Sequence, residues 1–78
     1  MTCRDEVLAA MERLEQRTGQ TELALVDIVR EVFSGGSELS ESTIRTHITS
    51  SMCVDAPPNH ATRYPDLRRT VRGVYKRL

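Results

Sequence analysis

A chain of 78 residues with 38% hydrophobic side chains, 28% charged ones and a formal net charge of zero has room for one small domain, residues 1–78, around a thin core. It leaves no room for a two-domain catalytic cleft, no apolar run has the length of a bilayer-spanning helix, and no charged-then-apolar leader opens the chain, so a cytoplasmic protein with no membrane partner is expected. The zero conceals polarity: four arginines face eight carboxylates in residues 1–40, and seven cations face three carboxylates in residues 41–78, leaving −4 and +4. Such a balance argues against indiscriminate nucleic-acid binding but suits a local anion-seeking face.

Val7, Leu8, Met11 and Leu14 recur at helical spacing and predict a first helix over about 4–17. Thr2 or Cys3 would cap it, Asp5 and Glu6 suit its first turn, and Gly19 suits the left-handed position beyond its end. Thr21–Ala24 reads as a short extended piece. Leu25, Ile28, Val29, Val32 and Phe33 predict a second helix over about 25–33, with Phe33, the only phenylalanine, expected at the centre of the core. Ser34-Gly35-Gly36-Ser37 is a turn. Ser40 is a natural cap for a third helix over about 41–52, whose Ile44, Ile48 and Met52 face the core. Pro57, Pro58 and Pro65 exclude helix or central strand between Cys53 and Asp66. Residues 66–78 read as a hairpin, with arms Leu67–Thr70 and Val74–Leu78 and a Val71-Arg72-Gly73 turn in which Gly73 is free to take a positive φ.

Helix, short strand, helix, turn, helix, long loop and basic hairpin is the element order of a winged helix-turn-helix domain. The expected class is therefore α+β: three helices with a small antiparallel sheet, the strand near Leu23 joining the C-terminal wing hairpin.

The third helix carries Ser42, Arg45, Thr46 and Thr49 opposite its apolar stripe. These side chains are short or forked, and all form hydrogen bonds, which is what a helix entering a DNA major groove needs. Arg45 is the candidate for a guanine edge. Ser42, Thr46 and Thr49 would reach bases or phosphates, as would Thr43 from the first turn. On the wing, Arg68, Arg69, Arg72 and Arg77 would meet the backbone or minor groove, Arg72 from the tip, with Lys76 as a further phosphate contact. Plainer roles compete with these. Arg45 has Glu41 four residues before it and would pair with it. Arg68 and Arg69 would also guard an exposed sheet edge.

Ser40-x-Ser42-Thr43-Ile44-Arg45-Thr46-His47-Ile48, with Met52-Cys53-Val54, Pro58-Asn59-His60, Tyr64, Asp66-Leu67 and Arg72-Gly73-Val74-Tyr75, resembles a small bacterial winged-helix family. Some members of that family are short proteins or modules joined to restriction-type nuclease regions. The resemblance runs along nearly the whole chain and is strongest in the third helix and the Arg-Gly-Val-Tyr segment. It implies a winged-helix fold and contact with DNA, but no particular target. The expected function is binding of double-stranded DNA, as a regulator of transcription or as the recognition subunit of a DNA-processing system. A chain this small is expected to dimerise, or to work beside a partner such as a nuclease, to reach useful affinity. The family tends to have Ser or Thr before the second helix, where this chain has Ala24, so the cap there is weakened.

The alternative reading is a protein-interaction module on the same fold. Enzymatic activity is not expected. Cys53 and His60 have no third residue to orient them, no glycine loop cradles phosphate, and the carboxylates form no nuclease pattern. Cys3, Cys53, His47 and His60 match no common zinc spacing. No metal and no cofactor are expected. His47, between Ile44 and Ile48, reads as a half-buried packing residue.

Overall fold

The computed structural model of the chain describes residues 2–54 and 64–78. Helix α1 spans Cys3–Thr18. Strand β1 is Leu23–Ala24, helix α2 Leu25–Ser34 and helix α3 Glu41–Thr46. Strands β2, Leu67–Val71, and β3, Val74–Arg77, close the chain. The described residues form an α+β domain whose antiparallel sheet has the order β1-β3-β2. Leu23 sits opposite Tyr75, and Leu67 opposite Arg77.

Each helix start has its own chemistry. Thr2 and Asp5 form a reciprocal capping box at α1: the Asp5 amide donates to the Thr2 hydroxyl, and the Thr2 amide donates to the Asp5 carboxylate. Gly19, at φ 74°, closes α1 with its N–H on the Glu15 carbonyl, in a conformation that costs other residues strain. Ala24 offers α2 no side-chain cap. Instead the Leu25 amide donates to the Gly73 carbonyl at 2.8 Å, so the hairpin turn satisfies the first N–H of α2. Ser40 caps α3, accepting from the Thr43 amide at 3.1 Å.

The third helix departs from the expected 41–52. Its α-helical part ends at Thr46, and His47–Ser51 forms a π-turn in which the Met52 amide donates to the His47 carbonyl at 3.0 Å. The wider turn fits the spacing of its apolar residues. Ile44, Ile48 and Met52 are four apart, and an α-helix advances about 100° per residue, so each step would drift about 40° around the axis. A wider turn rewinds that drift. All three side chains are fully buried.

The core joins Val7, Ala10, Met11 and Leu14 of α1 to Ile28, Val29 and Val32 of α2, with the α3 stripe, Cys53, Leu23, Leu67 and Tyr75. Phe33 is not at its centre: it is 40% exposed, at the last turn of α2 before Gly35 and Gly36. Val71 lies in β2 rather than in the turn. The expected proline-rich loop lies partly outside the described residues, but its stem does not. The Tyr64 amide donates to the Ser51 carbonyl, the Leu67 amide to Met52 and the Val54 amide to Leu67. Among the described residues no helix is long and apolar enough to cross a membrane.

Candidate nucleic-acid interface

Burial of Ile44 and Ile48 turns the opposite side of α3 to solvent. Ser42, Thr43, Arg45 and Thr46 are exposed, and Thr49 is half-buried. The Thr43 oxygen accepts from the Ser40 hydroxyl at 2.8 Å, which leaves the Thr43 proton free to point outward. The Thr49 hydroxyl is turned back on its own helix, donating to the Arg45 carbonyl at 2.9 Å. Ser42 and Thr46 make no hydrogen bond through their side chains to another described residue. Arg45 stands 3.8 Å from Glu41, with both side chains in water (45% and 64% exposed). An exposed pair at that separation is weak and screened by salt, so the guanidinium is restrained but accessible.

Alternation along β3 sorts the hairpin cations onto two faces. Tyr75 is buried, so Arg77, two residues on, lies on the inner face beside α1. There it makes a paired contact to Glu15, with Nε at 2.8 Å and Nη2 at 2.5 Å, and the carboxylate raises the guanidinium pKa further. Lys76 is on the outer face opposite Arg68. Thr70 is an extra residue in β2, a bulge between Arg69 and Val71 that twists the edge strand. Arg69 pairs in register with Tyr75 yet is exposed, and an open cleft at this end is lined by Arg69, Thr70, Val71 and Arg72. Arg72 is exposed at the turn, with Gly73 at φ 76°. All ten residues expected at a DNA surface keep some solvent exposure, on α3, the π-turn that continues it or the hairpin, but the Arg77 guanidinium is committed to Glu15.

Long-range ion pairs account for most other arginines. Arg4 grips Asp66 through two bonds of 2.6 and 2.8 Å, its guanidinium 4.3 Å from the Tyr64 ring centre. Arg13 and Arg17 both bind Glu31, at 3.0 and 2.6 Å, and hold its carboxyl below the usual range. Arg68, Arg72 and Lys76 have no acidic partner among the described residues. Glu6, Glu22 and Glu38 have no cationic one. Uncompensated positive charge thus gathers on the hairpin and negative charge on the first 40 residues. These clamps join positions up to 62 residues apart, for which local spacing holds no signal.

Among the described residues no group of three or more His, Cys, Asp or Glu side chains is placed to hold a metal ion. Cys53 is buried; His60 lies outside the described residues. Comparisons with protein-family models, curated proteins and solved structures find no match.

Proposed function

We propose that this chain is a winged-helix DNA-binding protein that reads double-stranded DNA with α3 in the major groove and the β2–β3 hairpin on the backbone or minor groove. The observation that carries the reading is the pairing of an exposed, hydrogen-bonding α3 face with a hairpin whose Arg68, Arg72 and Lys76 lack acidic partners among the described residues. The order α1-β1-α2-α3-β2-β3, with β1 added beside β3, is compatible with a winged helix and supports the reading. Arg45 takes a guanine edge, Ser42, Thr43 and Thr46 contact bases or phosphates, and Thr49, its proton on the Arg45 carbonyl, accepts from a base donor through its lone pairs. Arg68, Arg69, Arg72 and Lys76 set the register on the backbone. Arg77 supports the hairpin through Glu15 instead of reaching out. The role is that of a regulator or of a recognition subunit in a DNA-processing system.

Amide chemical-shift mapping on a mixed-sequence duplex tests this. Shifts confined to residues 41–49 and 68–76 support it; shifts confined to α1, or none, refute it. The runner-up, a protein-interaction module, is favoured by one observation: Val26 and Phe33 stay exposed on α2.

A further inference from the structure

Helix α2 buries Ile28, Val29, Glu31 and Val32 and turns a different set outward. At about 100° per residue, Phe33, Val26 and Arg30 fall within about 60° of one another, and Asp27 lies about 60° beyond Arg30. Val26 is 51% exposed and Phe33 40%. Arg30 and Asp27 are exposed too, and their contact is loose, 4.0 Å. The surface is thus an apolar line with one cation and one anion along a single flank.

That order is self-complementary. A two-fold axis set midway between Val29 and Arg30 runs two α2 helices antiparallel. It places Val26 of each copy opposite Phe33 of the other. A two-fold axis keeps the charged flanks of both helices on the same side. Arg30 of one copy then lies about 3 Å along the axis from Asp27 of the other, at the 1.5 Å rise per residue. Helices in contact are about 8–10 Å apart, within reach of an arginine side chain. Each loose Arg30–Asp27 contact within a copy is exchanged for one between copies, and two apolar side chains per copy leave water.

We propose that this α2 stripe is a self-association surface for a second copy of the chain, packed antiparallel with Val26 against Phe33 and Arg30 against Asp27. It does not depend on the DNA-binding reading. A helix of ten residues is about 15 Å long, so the contact belongs with the smallest specific interfaces and the dimer forms reversibly with concentration.

Sedimentation velocity of the full chain from about 10 µM to about 1 mM tests it, a range that spans weak association. The expected result is a shift from monomer toward dimer. Phe33→Glu, at an exposed site, is expected to weaken association at least about tenfold while leaving the circular dichroism spectrum unchanged. Arg30→Asp and Asp27→Arg are each expected to weaken it, and the double exchange to restore it. A monomer throughout the range overturns the proposal. So does a dimer indifferent to Phe33→Glu, or a double exchange no better than either single one.

Discussion

Arg45 holds two relationships at once. Its guanidinium faces Glu41 across 3.8 Å, and its remaining donors face solvent on the side of α3 away from the core. In the proposed complex that makes Glu41 a filter: a carboxylate beside phosphates is repelled unless a base amino group meets it. Arg45→Ala is expected to flatten sequence preference at a cost of about 1–3 kcal/mol on the preferred duplex. Glu41→Gln is expected to tighten binding to all duplexes while narrowing the gap between preferred and random sequence, as read in competition titrations. Arg72, at the hairpin turn, has the opposite character. Arg72→Ala is expected to weaken all duplexes alike and reduce the log–log salt slope by about one. Equal loss of preference in both arginine variants would refute the division of labour.

At the scale of elements, each helix is anchored by chemistry that differs in how visible it is in the sequence. Thr2, Gly19 and Ser40 act locally, and their roles follow from residue type and position. The apolar stripes of α1 and α2 and the extra strand near Leu23 were equally legible. The π-turn was not, because a spacing of four is read as helical whether the backbone closes α or π rings. Phe33 was misplaced because periodicity places it near the buried arc of α2, but the helix ends there and the Gly35-Gly36 turn leaves little to cover it. At the site, the exposed α3 face and the hairpin cations were legible as residue types. The commitment of Arg77 to Glu15 was not, since it depends on how the sheet packs on α1. Two predictions belong here. Ala24→Ser, in the extended conformation a cap needs (φ −70°, ψ 141°), is expected to stabilise the domain by about 0.5–1 kcal/mol, raising Tm by several degrees. Ile48→Ala, emptying a fully buried site under the π-turn, is expected to cost about 2–5 kcal/mol in denaturant unfolding.

Over the whole molecule, charge does two jobs. Arg4–Asp66, Arg77–Glu15 and the Arg13–Glu31–Arg17 cluster join α1 to the hairpin and to α2, while Arg68, Arg72 and Lys76, without an acidic partner among the described residues, are the cations proposed to meet an outside anion. The first job has a pH signature. Hydrogen bonds from Arg17 and Arg13 hold the Glu31 carboxyl low, and Thr2 does the same for Asp5. A lowered carboxyl pKa contributes stability that is complete above the unfolded-state value, near about 4, and is lost as pH falls through the folded value. Tm is therefore expected to hold steady around neutrality and drop in acid, with a shallower drop in Glu31→Gln. Burial raises the Tyr75 phenol and the Cys3 thiol, so a second decline is expected in alkali, once pH passes their unfolded-state values. The second job is tested most directly by fluorescence anisotropy on a mixed-sequence duplex, titrated from low salt to about 200 mM. With the four hairpin cations Arg68, Arg69, Arg72 and Lys76 on phosphates, affinity is predicted to fall with a log–log slope of roughly −3.6. No binding at low salt, or binding indifferent to salt, would contradict a DNA-binding role for the chain.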